Sequence, residues 1–461
     1  MYEFNLKDTD KHVHFIGIGG ISMSAIAKLL VTHGFTVSGS DMNESPLTDD
    51  LARLGVKVNY PQAAANITPD IDIVVYTSAI HPDNPEFIAA KESGKIMYQR
   101  AEMLGLIMKH YGNAVAVAGT HGKTTTTAML SYIYLEAQGD PTIFVGGILD
   151  GIHGNMRAGK SENFIAEACE YTDSFLHFYP TTDIILNIEP EHLDYFGDLG
   201  AERRSFSKFI GLLPEKDGLL VINKLVDNID ELVAGKDIKV VTCGLDESSD
   251  YTAANIVYDE LGHGSFDLIV RGKNEGRMEL SVAGTHNISN SLAAIAAAME
   301  HGIAADTCAK ALKKYTGTDR RLQFKGKYNG AAVFDDYAHH PSEIKATLEA
   351  CQRIPHKRLI VAFQPHLYSR TKFFLNDFIS VLSVPDSVVL ADIYAAREKD
   401  PGDISSKDIA DGVNKNGGNA LYLGNFEKIE NFLINSLTEG DLLITMGAGD
   451  IVKVGEKLIQ N

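Results

Sequence analysis

VAVAGTHGKTTTTAML, Val115 to Leu130, runs an apolar stretch into a glycine turn and then into a helical pattern. Its right-hand end, Gly122, Lys123 and Thr124, matches the phosphate-binding pattern G-x-x-x-x-G-K-[ST]. The first glycine of that pattern would fall at Val117, whereas the actual glycine is Gly119, two positions late. A shorter loop changes the approach to a phosphate without changing the chemistry. Lys123 still reaches terminal phosphates as a point charge, Thr124 still offers a hydroxyl to magnesium, and backbone amides still wrap a β-phosphate. A lone G-K-T is common by chance. Set between strand and helix, with Thr125, Thr126 and Thr127 behind it, the segment makes Gly119, Thr120, Gly122, Lys123, Thr124 and Thr125 a candidate triphosphate site.

The same strand, turn and helix grammar extends to both sides. Upstream, HVHFIGIGGISMSAIAKLLVTHGFTVSGSD gives a strand at Val13–Ile16, a glycine turn, a helix over 22–32 and a second strand ending at Asp41. DIDIVVYTSAI reads as another buried strand, and strand–helix–strand order predicts a parallel sheet with helices on its faces. After the loop, NFIAEACE and DIILNIEPEHLDYFG are buried strands ending in charged residues, where ligands of parallel sheets gather. GTHNISNSLAAIAAAMEHGI is a helix opening on polar residues. Beyond Gly317, AAVFDDYAHHP, RLIVAFQPH, DSVVLADIY and DLLITMGAGD are four strand candidates with helical patterns between them. Fold logic alone, with no proline- or glycine-rich linker to help, sets domains at 1–110, 111–316 and 317–461.

The bulk numbers agree. A chain of 461 residues is too long for one ordinary core, and about 100–200 residues per domain suggests two to four. With 44% hydrophobic and 22% charged residues the composition is globular. The balance of 42 basic to 61 acidic residues, net −19, makes nucleic acid and anionic lipid poor partners. A phosphate ligand must therefore be held by a local site. No apolar run approaches the ~18 residues of a membrane span, and MYEFNLKDTDKHVHF has no apolar secretion core. Cys169, Cys243, Cys308 and Cys351 are scattered, which argues against a zinc site or a disulfide framework and fits a reducing cytoplasm.

Several residues stand where chemistry is expected. Gly17 and Gly19 meet G-x-G-x-x-G, but its third glycine is Ser22. With Gly20 they let the backbone approach a pyrophosphate at a helix N-terminus, and Asp41 ends the next strand, where an acid accepts from ribose hydroxyls. The alternative is a tight turn with no ligand. Glu167 ends the strand NFIAE and His192 follows DIILNIEPE; both are candidate metal ligands, although on residue type His192 is more readily a hydrogen-bonding group for magnesium chemistry. Glu170 and Glu191 read as solvated or capping neighbours, and Lys208 as surface or site. Asn287 and Asn290 share a helix face and either read a purine or cap the helix. Arg320 and Arg321 suit phosphate or ribose, or plain surface. Asp335, Asp336, His339 and His340 crowd one strand end, and His366 and Arg370 follow another.

Taken in order, HFIGIGGISMSAIA, TSAI, QRAEML, GTHGKTTTT, IAEACEYTDSF, LNIEPEHLDYF, HNISN, DDYAHHP and FQPHLYSRT resemble the Mur ligase family along essentially the whole chain. The shortened phosphate loop is itself a mark of that family. The resemblance implies an α/β protein of three domains: N-terminal Rossmann-like, a central P-loop ATPase with a mostly parallel sheet, and a C-terminal Rossmann-like α/β domain. It implies an ATP-dependent amide ligase of peptidoglycan biosynthesis, acting on UDP-N-acetylmuramate and L-alanine, with two Mg2+ sites. The implied setting is cytoplasmic and the implied state a monomer or weak homodimer. By the same resemblance Gly17, Gly19, Gly20 and Asp41 hold UDP, and Ser78, Arg100 and His121 contact the sugar-linked substrate. Lys123 and Thr124 bind phosphates and magnesium, and Glu167 and His192 complete the metal sites. Asn287, Asn290, Arg321 and Asp336 meet adenosine, while His340, His366 and Arg370 sit near the amino acid. Three departures stand out: Ser22 for a glycine, Cys169 and Tyr171 for polar residues, and Leu367 where some alanine-adding relatives carry arginine. A sister ligase that attaches a preformed peptide is the near alternative, and a nicotinamide oxidoreductase the distant one, since it leaves the second glycine loop unexplained.

Overall fold

The computed structural model describes residues 3–77, 79–318, 320–396 and 398–460. The chain divides into two compact units. One holds the residues up to Ala253 with Leu268–Gly276 and Asn290–Leu312; the other holds Ala254–Asp267, Arg277–Ser289 and everything from Lys313.

The first unit opens with strands β1 (His12–Ile16), β2 (Thr36–Ser40), β3 (Lys57–Asn59), β4 (Ile73–Tyr76) and β5 (Ile96–Gln99), in the order β3-β2-β1-β4-β5. Every pairing is parallel. β1 is covered on both faces: Val13 and Phe15 join the main core, while on the other face Ile16 packs with Ile71, Val74 and Ala90 and the buried His14 lies 2.6 Å from Glu86 Oε1. Strand order reverses at the β1–β4 junction, which opens a crevice at their carboxyl ends. A Cβ on Gly17, just past β1, would come within 3.1 Å of Thr77 Cγ2, just past β4.

The next strands are β6 (Asn113–Ala118), β7 (Thr142–Leu149), β8 (Gly154–Arg157), β9 (Asn163–Glu167), β10 (Thr182–Ile185), β11 (Leu219–Asn223), β12 (Lys239–Cys243), β13 (Tyr251–Tyr258), β14 (His263–Val270) and β15 (Lys273–Ala283). Within the first unit they run β12-β11-β10-β6-β9-β7-β8, parallel except for the β7–β8 pair. β6 lies between β9 and β10, so the loop after it emerges where the crossovers change direction. The reading of parallel sheets, with Glu167 ending the strand NFIAE, matches these elements. The β7–β8 hairpin and the strands from β11 to β15 were not read, because their apolar runs are short or half-exposed.

In the second unit β16 (Gln323–Tyr328), β17 (Ala331–Asp336), β18 (Leu359–Phe363), β19 (Ser387–Ala391), β20 (Ala420–Gly424) and β21 (Leu442–Met446) form a sheet ordered β16-β17-β21-β18-β19-β20. Only β16 is antiparallel. Alternate residues of β18 serve two cores, Val361 and Phe363 on one face, Ile360 and Ala362 on the other. The four strands read from the sequence are β17, β18, β19 and β21. The two edges escaped because Phe324 on β16 and Leu421 and Tyr422 on β20 are exposed.

Candidate active site

The short loop after β6 is built around two glycines. Gly122 caps the helix Lys123–Glu136 in a left-handed conformation at φ 84, and Gly119 sits at φ 138. Both are also hemmed in. A Cβ on Gly119 would lie 3.0 Å from Leu186 Cβ, and one on Gly122 would lie 2.6 Å from Asn290 Oδ1. The loop is laced to the segment after β10: Thr120 N–H donates to Asn187 O at 3.2 Å, His121 N–H to Asn187 Oδ1 at 2.7 Å, and Glu189 N–H to Thr120 Oγ1 at 2.9 Å. Such a helix start presents free N–H groups and a positive dipole end to an anion. His121 Nε2 lies 3.6 Å from Glu189 Oε2.

Behind the loop, Lys123 Nζ donates to Gly119 O at 2.5 Å, to Thr120 O at 3.1 Å and to both oxygens of Glu170 at 3.2 and 3.0 Å. Glu170 is 1% exposed. Burial alone would lower the Lys123 pKa, but the Glu170 charge, with Cys169 and Glu167, outweighs it and raises the ammonium above its usual range. Burial likewise works to raise the Glu170 carboxyl, and Lys123 and His192 together hold it below. Glu170, read from the sequence as solvated or capping, is therefore the counter-ion of the phosphate-loop lysine.

Thr124 Oγ1 donates to Glu167 Oε2 at 3.2 Å, and the other Glu167 oxygen accepts the Gly146 amide. These are hard oxygen donors side by side, the kind magnesium selects. His192 stands at φ 50, with Nε2 3.5 Å from Glu170 Oε1 and its ring 4.4 Å from that of Tyr171. Its Nδ1 is buried with no hydrogen-bond partner among the described residues. Thr124, Glu167 and His192 therefore fit a cation on the donors they offer. Lys208 is exposed on the helix Leu199–Ile210, whereas Glu202 on the same helix has no solvent exposure and was not singled out from the sequence.

In the first glycine turn Gly17 has φ 83, and its N–H donates to Ser40 O. Asp41 accepts the Gly19 N–H on Oδ2 at 2.8 Å and the Met42 N–H on Oδ1 at 2.7 Å, so the acid braces the turn itself. Gly20, in ordinary extended backbone at φ −64, caps the helix Ile21–Thr32. Arg100 Nη1 donates to Ser22 Oγ at 3.2 Å. Ser22 and Arg100 share a cavity of about 150 Å3 with Gly146, Asn155, Glu167 and Cys169. The structure thus brings Arg100 and Glu167 to one space. Ser78 lies outside the described residues.

In the second unit the carboxyl ends of β17, β21 and β18 lie together. Asp336 accepts Leu322 N–H and Ala338 N–H, each at 2.7 Å, and burial, opposed by Arg321, raises its pKa to about 6. Arg321 lies 5.4 Å from the Tyr337 ring and 4.0 Å from Glu343. Asn287 donates its side-chain amide to Ala283 O at 2.7 Å, a capping contact. His340 caps the helix Pro341–Cys351, its Nδ1 2.8 Å from Ser342 Oγ. Arg370, 7% exposed, donates to His366 Nδ1 at 3.0 Å, and His366 stacks on Tyr394 at 5.6 Å. Leu367 is buried at φ 70, so this departure points its side chain into the core. Arg320 and Asp335, both singled out from the sequence, brace this site as a pair that the sequence did not show, with Thr445 as an added partner. Arg320 donates to Asp335 Oδ2 at 3.0 Å and Gly447 O at 2.7 Å, and Thr445 donates to Asp335 Oδ1 at 2.6 Å. The signal was the density of charge in TDRRLQ and FDDYAHHP, whose pairing crosses strands. Asn290, in the first unit, lies against Gly122.

Three family models match in succession: the Mur ligase family catalytic domain at residues 12–112, the Mur ligase middle domain at 117–298, and the Mur ligase glutamate ligase domain at 320–449. A UDP-N-acetylmuramate–L-alanine ligase of Agathobacter rectalis is 56% identical over 449 residues, covering 97% of this chain and 98% of that protein. The protein of the same description from Caldanaerobacter subterraneus is 49% identical, covering 98% and 97%. Among solved structures, the UDP-N-acetylmuramate–alanine ligase of Thermotoga maritima superimposes with a TM-score of 0.81 at 28% identity, covering 97% and 98%. The murein peptide ligase of Psychrobacter arcticus gives 0.70 at 25%, covering 98% of both chains. Matched from end to end by these relatives and by the family's models in turn, this α/β chain belongs to the Mur ligase family.

Proposed function

We propose that this chain is an ATP-dependent ligase that joins the lactyl carboxylate of UDP-N-acetylmuramate to L-alanine, through an acyl phosphate, in cell-wall biosynthesis. The observation that carries the reading is the 56% identity, over nearly the full length, to a protein described as that ligase. The site geometry supports it, because fold alone would not specify a reaction. A triphosphate tail approaching the Gly122 loop meets free amides and an ammonium already drawn into position by Glu170. Arg100, Ser22 and Glu167 line one cavity, and Glu167 is held there by the Thr124 hydroxyl at the loop.

Thr124, Glu167 and His192 are the residues proposed to hold magnesium, in two sites; bound there, the ion neutralises charge as two anions meet. The carboxylate oxygen attacks the γ-phosphorus, the bond to the β-phosphate oxygen breaks, and ADP leaves with that electron pair. Lys123 offsets the charge that develops, and in-line positioning does most of the rest. The alanine amine, having lost its proton, then attacks the acyl carbonyl. The tetrahedral oxyanion is stabilised by the donors grouped around Lys123 and collapses to amide and phosphate.

In this reading Gly17, Gly19, Gly20 and Asp41 hold UDP, with Ser78, Arg100 and His121 on the sugar side. Gly119, Thr120, Gly122, Lys123, Thr124 and Thr125 hold phosphates, with Asn287, Asn290, Arg321 and Asp336 for adenosine. His340, His366 and Arg370 receive the amino acid, with Arg370 taking more of its carboxylate because Leu367 offers no charge. The assignment carries domain limits near residues 110 and 317, a cytoplasmic setting and a monomer or weak homodimer. No helix among the described residues is long and apolar enough to cross a membrane. ADP release with UDP-N-acetylmuramate against L-alanine, glycine, L-serine and a tripeptide tests it. L-alanine is expected to give the highest kcat/KM; turnover with the tripeptide alone would move the assignment to a peptide-adding ligase.

A further inference from the structure

His192 has a left-handed backbone, φ 50, which a residue with a side chain keeps only when its surroundings hold it there. From its own carbonyl side the turn is held by Tyr195 N–H and Phe196 N–H, which donate to His192 O at 2.8 and 3.0 Å. From the amide side it is held by Glu191, whose Oε1 accepts the His192 N–H at 3.2 Å. Glu191 is fixed in turn by Glu202, whose Oε2 accepts the Glu191 N–H at 3.3 Å. Glu202 projects from the helix Leu199–Ile210, has no solvent exposure, and keeps Oε1 buried with no hydrogen-bond partner among the described residues. A line of contacts thus runs from Glu202 through Glu191 and His192 to Glu170 and Lys123.

We propose that Glu202 is a positioning residue for the ligase reaction, fixing the Glu191–His192 turn so that the His192 imidazole keeps its place beside Glu170. The inference rests on the ligase reading and adds to it a residue that touches neither substrate nor reacting atoms. Glu170 and Glu191 are buried, and their charges bear on the buried Glu202, so one carboxyl that carries its proton relieves the crowding. Glu202 is that one: burial first, then the Glu170 and Glu191 charges, raise it to about 8, against the Glu191 N–H and Lys123, which pull it down. At neutral pH it is a neutral hydrogen-bond acceptor, a role an amide of the same shape can fill.

The test is steady-state ADP release by the full chain with Glu202→Gln, Glu202→Asp and Glu202→Leu, each checked by its urea midpoint. Outer partners of a metal- or phosphate-binding group commonly cost about 10–100-fold when removed. Asp, a methylene too short to reach the Glu191 amide, and Leu, with no acceptor, are expected to lose kcat in that range while KM for ATP and UDP-N-acetylmuramate moves less than about twofold. Gln is expected to restore most of that turnover. A role in general stability alone would lower urea midpoints and leave kcat per folded molecule unchanged, which overturns the proposal. So does wild-type kcat in the Asp variant, or a Gln variant as impaired as Leu. Should Leu not fold, Asp against Gln decides. Wild-type enzyme that releases no ADP with any amino acid overturns the ligase reading itself, a separate outcome.

Discussion

Lys123 is bound before any substrate arrives, to two loop carbonyls and to Glu170. Removing its amine has two consequences that separate experimentally. Turnover loses a group acting on both ground state and transition state, so Lys123→Ala is expected to fall well past the roughly hundredfold typical of one electrostatic donor. Stability also suffers, because Glu170 is left buried without its counter-ion, a change of about 3 kcal/mol. Lys123→Ala combined with Glu170→Gln should recover most of the urea midpoint and none of the ADP release; a variant that regains both would remove Lys123 from the chemistry. Glycines at the two turns give a sharper contrast. Gly122→Ala meets both a positive φ and the Asn290 amide oxygen at 2.6 Å, and should cost about 1–2 kcal/mol with weaker ATP binding. In Gly20→Ala the nearest atom is Gly17 O at 3.5 Å, ordinary contact, so thermal stability should hold. At this scale Lys123 and Thr124 were legible because loop, strand and helix are adjacent in sequence. Glu170 and Glu202 were not, since 47 and 79 residues separate them from Lys123 and no spacing records such a pairing.

Among elements, β10 carries an unusual cargo. Asp183 lies at the middle of the first unit's sheet, between Ala116 and Leu220, with no exposure and neither oxygen hydrogen-bonded among the described residues. Burial raises its pKa well above the ordinary value. The folded value exceeds the unfolded one, so its contribution is complete below the unfolded carboxylate range and is lost as pH rises through the folded value. Asp183→Asn keeps the shape without the titration, and its stability relative to wild type should grow in urea melts as pH rises above the ordinary carboxylate range. Glu300 works with the opposite sign. At the end of the helix Thr285–Glu300 it accepts from Lys239, from Arg271 Nη2 at 2.6 Å and from Tyr251 OH at 2.8 Å. Burial opposes its ionisation, but these donors bring it to about 2. That stability is present above the unfolded value of 4.5 and disappears as pH falls toward 2. Glu300→Gln should therefore cost about 3 kcal/mol at pH 7 and progressively less as pH falls from 4.5 toward 2. Buried parallel strands such as β6, β10 and β18 announce themselves as apolar runs, whereas β16, β20 and the strands from β13 to β15 have solvent on one side and blend with loops. Asp183 shows the limit from the other direction, a charge-bearing residue inside a strand that nothing local explains.

At the scale of the whole molecule the successive stretches were legible, and the packing of two short segments was not. Three successive strand–helix patterns are visible from end to end, yet residues 254–267 and 277–289 cluster with the C-terminal unit rather than with their sequence neighbours. Hydrophobic period gives an element's type and leaves open which body it packs on. Charge, by contrast, is a property of the whole chain that composition alone gives. With 42 basic and 61 acidic residues the net charge is −19, and both proposed anionic substrates must approach against that field. The local attraction comes from Lys123, buried beside Glu170, and from the helix end at Gly122, which act within a few ångströms and are screened little. The repulsion is long-ranged and is screened as the Debye length falls from about 30 Å at 0.01 M to about 8 Å at 0.15 M salt. Raising KCl between those limits at fixed magnesium should therefore increase kcat/KM for UDP-N-acetylmuramate and for ATP about two- to fivefold, with kcat nearly constant. A kcat/KM that falls with salt would mean the approach is steered by a positive surface around the cleft, so that the overall charge does not govern capture.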